Sequence, residues 1–236
     1  MIEKTLFRKF YPENYKNGTV IFYEWLREGL NSEDVVVNMG AGLTSKDKVR
    51  SLKGEVKKVI GLDINPEVLN NQDLDEAHII KDILPLEDSS VDMAYSDYVL
   101  EHIEKPEVFL REVHRILKPG AAFFFRAPNL FYYVSVIAKF SPHFIHNLIA
   151  NSMRGLPKGE HEPYKTYHRL NTQSSIFKYA KLAGFRTVEL KYIETEPSYM
   201  MFHWLPFYLG VFYERMVNKY EFLKYFRSNI FGRLQK

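Results

Sequence analysis

Six runs of apolar residues limit what this chain can fold into, because most of them are hydrophobic throughout and do not alternate. They are DVVVNMG (34–40), KKVIGLDIN (57–65), AHIIKDI (77–83), VDMAYSD (91–97), AAFFFRAPN (121–129) and FRTVELKYIE (185–194). A strand with one wet face alternates apolar and polar residues, whereas a parallel strand covered on both faces does not. Helix signals fall between the runs. Pro106 suits a first helical turn, and Phe109, Leu110, Val113, Ile116 and Leu117 then share one face until Lys118-Pro119-Gly120 stops it. Thr172 is placed to cap a helix through Ala183, closed by Gly184. Strands alternating with helices predict an α/β fold: a doubly wound, Rossmann-like, mostly parallel sheet with helices on both faces.

At 236 residues the chain can bury one sizeable core with additions. A helical arm is expected over residues 1–33. Residues 129–170 interrupt the alternation as a helical insertion after the fifth strand. Residues 199–236 form an aromatic, then basic, helical tail. The main domain is accordingly read as 1–198, with 129–170 as an acceptor-side lid and 199–236 as an extension. The net charge of +3 is too small to argue for nucleic acid. With no cysteine, thiolate metal sites and cysteine nucleophiles are excluded. The opening MIEKTLFRKFYPEN has no continuous apolar core, so the expected location is cytoplasmic.

Chemistry enters at the strand ends. The first run stops at Gly40-Ala41-Gly42, where the lack of a side chain lets a ligand approach the backbone, and a helix is expected to open beyond it. The second run carries Asp63, an acid 21 residues beyond Gly42, a spacing suited to the ribose hydroxyls of an adenosine cofactor. Asn65 is the better cap for the turn at Pro66, which frees Asp63 for that role. Asp82, in the third run, is placed to meet an adenine amino group. A nicotinamide dehydrogenase would need glycine where Ser45 stands.

Taken with DILPLEDSSVD (82–92), SDYVLEHI (96–103) and FLREVHRILKPGAAFFFRAPN (109–129), these strand ends make the chain resemble the class I S-adenosylmethionine-dependent methyltransferases, in their small-molecule, type 11-like branch. The likeness covers about residues 34–129, with a weaker echo to about 194. It implies that S-adenosylmethionine is the cofactor and S-adenosylhomocysteine the product. Gly40, Ala41 and Gly42 would run under the methionine and ribose. Asp63 would hold the ribose, Ile64 would pack on the adenine, and Asp82 and Ile83 would flank its edge. Ser96 would face the reaction centre. Asn38 departs from the family's usual acid near the methionine ammonium and loses its charge attraction, although an amide oxygen still accepts a hydrogen bond. Thr44 replaces a third glycine. His102 is the candidate general base. A metal is not expected, because Tyr98 takes the place of the first glutamate in the Glu-x-x-Glu-His pattern that some relatives use.

The expected acceptor is a small molecule, sugar-bearing or lipid-linked, methylated on oxygen. Nucleic acid is disfavoured for lack of a basic stripe and of an Asn-Pro-Pro-Tyr motif. The alternative, favoured by Asn38, is a subunit or regulator that binds S-adenosylmethionine without turnover. YMMFHWLPFYLGVFY (199–213) is too short and too interrupted to span a bilayer. Beyond it stand Arg215, Lys219, Lys224, Arg227, Arg233 and Lys236 against Glu214 and Glu221, a net +4 in a chain whose total is +3. The tail is thus open to three readings: a cap over the core, a homodimer face, or a contact with an anionic membrane.

Overall fold

A computed structural model describes residues 2–81, 83–140 and 164–236. They form a seven-stranded sheet of order β3-β2-β1-β4-β5-β7-β6. The strands are β1 (Val35–Met39), β2 (Lys58–Asp63), β3 (Glu76–Ile79), β4 (Val91–Asp97), β5 (Leu117–Pro128), β6 (Thr187–Ile193) and β7 (Asn229–Gln235). β1 pairs in parallel with β2 and β4, as do β2 with β3 and β4 with β5. The expected α/β class is therefore present. β7 runs the other way: Gly120 donates to the Lys236 carbonyl while Asn129 donates to that of Ser228.

The chain divides into two compact units. The first holds Thr19–Pro128, Thr166–Lys191 and Ile230–Lys236. Helix α2 (Gly18–Arg27) covers one face of its sheet, with Trp25 edge-on to Phe124 and Tyr23 edge-on to Tyr95. Helix α3 (Pro106–Ile116) covers the other, with Phe109 against Phe123. Phe123 and Phe124 are successive residues on a strand, so they point to opposite faces. Helix α5 (Gln173–Ala183) packs beside α3, where His114 meets Phe185 edge-on. It begins and ends as its sequence predicts. Thr172 and Ser175 form a reciprocal cap, and Gly184 adopts a left-handed φ of 97°.

Two features differ from expectation. No α-helix opens after Gly42; only a 3-10 turn, Lys48–Arg50, lies between β1 and β2. The reason is local competition for backbone groups. Thr44 Oγ1 accepts from the Gln72 N–H, Ser45 Oγ from that of Asp47, and Asp47 Oδ1 from that of Val49. Arg27 ties this crossover down by donating to the Val49 and Ser51 carbonyls and to Glu55. The second difference is β7. The basic tail does contain a long helix, but its last residues enter the sheet, where Ile230, Phe231 and Leu234 are buried.

The second unit holds residues 1–18, 129–165 and 192–229. Among the described residues its helices are α1 (Lys4–Phe10), α4 (Tyr133–Phe140) and α6 (Trp204–Lys219). Tyr11, Phe207 and Val211 form its core, with Phe7 and Phe10 packed against them. Its buried acids are tied to donors of the same unit. Glu214 accepts from the Tyr11 hydroxyl and the Asn218 amide, and Glu194 accepts from the Ser228 N–H. Burial raises the Glu194 carboxyl to about 8.

Candidate functional site

All described candidate residues lie in the sheet unit, around the C-terminal ends of β1, β2, β3 and β4. Open α/β sheets place their ligand crevices there. The two turn glycines do different work. Gly40 has φ 75°, and a β-carbon on it would fall 2.4 Å from Val99 Cγ2, so this glycine lets the turn pack against the segment after β4. Gly42 has φ 52° and nothing within 4 Å of where a β-carbon would sit. The open approach is therefore at Gly42.

Asp63 ends β2 and is held from both sides. Its Oδ2 accepts from the Gly42 N–H at 2.8 Å and its Oδ1 from the Asn65 N–H at 2.8 Å. Each carboxylate oxygen keeps a further acceptor position, so the group is oriented without being used up. Asn65 caps the next turn by accepting from the Glu67 N–H, which leaves Asp63 free of that duty. Ile64, just after β2, and Ile83, four residues beyond β3, are exposed at 63% and 69%. Ser96 is wholly buried and its hydroxyl has no hydrogen-bond partner. Asp82 lies outside the described residues.

Asn38 lines a cavity of about 190 Å³ with Gly40, Ala41, Ser45, Arg50, Asp73, Tyr95 and Asp97. Its charge comes from residues that pattern reading passed over. Asp97 accepts from Arg126 at 2.5 and 2.6 Å and from Arg50 at 2.7 Å. Arg126 is 2% exposed, bonds the Thr19 hydroxyl and stacks its guanidinium 4.5 Å over Tyr98. Two guanidinium groups face the Asp97 carboxylate, and with Asp73 in the same cavity the local charges balance. The sequence carries half of the signal for this pair, and strand register supplies the rest. An arginine inside the run FFFRAP must be buried, a buried charge needs a partner, and Asp97 is its register mate on β4.

Beyond β4 a 3-10 turn, Leu100–His102, carries the last candidates. Glu101 is buried, and its Oε2 has no hydrogen-bond partner. Burial, reinforced by the nearby Asp97 charge, raises its carboxyl to about 7. The His102 Nε2 stands 4.0 Å from Glu101 Oε1. The Glu101 carbonyl accepts from the N–H groups of Tyr167 and His168. Burial, and then the neighbouring His102, hold the His168 imidazole below its ordinary value. Among the described residues no group of three or more histidine or acidic side chains is placed to hold a metal ion.

Residues 37–125, which run from β1 into β5 and include the glycine turn, Asp63 and Glu101, match the family described as Methyltransferase domain. Over those residues the chain is similar to methyltransferase domains, and its fold is that of class I methyltransferases. The family match and the methyltransferases of similar fold imply S-adenosylmethionine as the cofactor. An S-adenosylmethionine-dependent methyltransferase from Archaeoglobus fulgidus is similar in fold, with a TM-score of 0.56 and 15% identity over 100% of both chains. The [4+2]-cyclase SpnF gives 0.60 at 15% identity, covering 95% of this chain and 83% of that one. An uncharacterised 37.1 kDa protein in transposon TN4556 of Streptomyces fradiae is 32% identical over 111 residues, 44% of this chain and 31% of that protein. The methyltransferase domain thus has relatives across fold space that differ in what they are named for.

Proposed function

We propose that this methyltransferase domain moves a methyl group from S-adenosylmethionine to an oxygen of a small acceptor that bears a sugar or is linked to a lipid. One observation carries the reading: a glycine turn, a pre-oriented acid and a charged cavity converge at adjacent strand ends of one unit. The residues present fit the cofactor. Gly42 leaves room over the turn, and Asp63 offers both carboxylate oxygens to the ribose hydroxyls. Ile64 and Ile83 supply apolar cover for the adenine. The cavity beside Asn38 suits a zwitterionic amino-acid end, with Arg50 available to its carboxylate and Asp73 to its ammonium. Asp73 thereby supplies the charge that Asn38 lacks.

When bound, the cofactor supplies a methyl group already activated on a sulfonium. The residues of the chain then have to align the acceptor and exclude water. An acceptor hydroxyl would need a base, and His102 Nε2 is the group that would take its proton while the bound cofactor supplied the methyl group. The acceptor class is inferred from the aromatic residues of the insertion and tail, which suit sugar faces and lipid chains.

The test is incubation with radiolabelled S-adenosylmethionine and a panel of sugar-bearing and lipid-linked acceptors, read by label transfer and mass spectrometry. Label on an oxygen of one class supports the reading. Tight cofactor binding with no product across the panel would instead favour a binding subunit or regulator, the reading that Asn38 supports.

A further inference from the structure

Helix α6 has two apolar faces, and only one is buried. Phe207, Gly210, Val211, Glu214 and Val217 point inward, and Phe207 and Val211 meet the core of their unit. The opposite side presents Trp204, Leu205, Tyr208, Leu209 and Phe212, all exposed, with Leu209 at 58% and Phe212 at 68%. Positions 205, 208, 209 and 212 follow the spacing of one helical stripe. Scattered apolar residues on a surface need no explanation, but a contiguous stripe of this kind marks a contact.

Charge decides which contact. Arg215 and Lys219 continue the same outward side toward the C-terminal end of α6. Arg215 also reaches the Phe10 carbonyl and Glu214 but stays 58% exposed. Glu214, the acid of the helix, is buried. In the following turn Glu221 is already neutralised by Lys224 and Arg227. A second copy of this face would bring no acid to meet Arg215 and Lys219. An anionic lipid surface would. Trp204 and Tyr208, each an apolar ring with a polar tip, match the level of the headgroups. No helix among the described residues is long and apolar enough to cross a membrane.

We propose that the outward face of α6 lies on the surface of an anionic bilayer. Its rings and leucines enter the boundary between headgroups and acyl chains, and Arg215 and Lys219 face the lipid anions. The inference extends the lipid-linked reading of the acceptor. It is tested without cofactor or acceptor, so a failure of one reading is distinguishable from a failure of the other.

The experiment is co-sedimentation of the full chain with vesicles of phosphatidylcholine alone or mixed with phosphatidylglycerol. The variants are Leu209→Glu with Phe212→Glu, and Arg215→Gln with Lys219→Gln. Circular dichroism checks that each keeps its helix content, as substitutions of exposed side chains should. The wild type should bind the mixed vesicles and bind phosphatidylcholine at least about tenfold more weakly. The double glutamate variant should lose about a hundredfold in partitioning or more, and the double glutamine variant about tenfold. Equal binding by wild type and the glutamate variant would overturn the proposal. So would a wild type that ignores mixed vesicles, whether it proves monomeric by light scattering or a dimer that the glutamate variant splits.

Discussion

Replacing Glu101 by glutamine keeps the shape of the side chain and removes its proton chemistry. In the folded chain this carboxyl is 7% exposed, one oxygen lacks a hydrogen-bond partner, and burial with the Asp97 charge raises it from 4.5 to about 7. Between those two values the folded state keeps a proton that the unfolded state has released. Stability therefore falls as pH rises through that window, and the loss is complete once pH passes the folded value. At about 1.4 kcal/mol per pH unit the interval corresponds to about 3 kcal/mol. Glu194 titrates in the same direction, but it does so in both proteins and cancels in their difference. The assay is urea unfolding at about pH 5 and about pH 8.5, followed through buried Trp25 in a Trp204→Phe background. Glu101→Gln should match the parent at the lower pH and exceed it by about 3 kcal/mol at the higher one. If both proteins lose stability in parallel across the window, Glu101 does not hold a proton in the fold, and the argument from its burial fails.

Four further outcomes follow from the packing. Gly40→Ala should lower stability by about 1–3 kcal/mol, because its β-carbon collides with Val99, as thermal denaturation would show. Gly42→Ala should lower stability by only about 1 kcal/mol, for its positive φ, and yet weaken cofactor binding measured by calorimetry. Arg126→Met leaves Asp97 buried with only Arg50, and should cost about 3–5 kcal/mol in urea unfolding. Ending the chain near residue 198 should abolish cooperative folding, read by circular dichroism, since β7 is then missing from between β5 and β6.

The parallel core of the sheet is legible because burial on both faces leaves its mark on composition: β1, β2 and β4 fall within their runs, while β5 begins four residues before its run, at Leu117. The α5 boundaries are legible because capping chemistry is local, in Thr172 and Gly184. The missing helix after Gly42 is harder to read. Thr44, Ser45 and Asp47 are ordinary helix-start residues, and it takes their local bonds together with the distant partner Gln72 and the hold of Arg27 on the crossover to turn them elsewhere. β7 is obscured because NIFGRLQ carries a glycine and an arginine within a basic tail, so charge masks a short buried strand. At the site, Gly42 and Asp63 follow from spacing. The Asp97–Arg126 pair and Arg50 do not, because their partnership depends on strand register and on a crossover that no local motif specifies.

The central claim is that Asp63 and the glycine turn form an S-adenosylmethionine site. Isothermal titration of the wild type and of Asp63→Ala with S-adenosylmethionine tests it most directly. Losing two charge-assisted hydrogen bonds should weaken binding by about 3 kcal/mol or more, on the order of a hundredfold, while the unfolding midpoint stays within reach of the parent's. A wild type that binds no S-adenosylmethionine, or an Asp63→Ala variant that binds it as tightly as the wild type, would contradict the account.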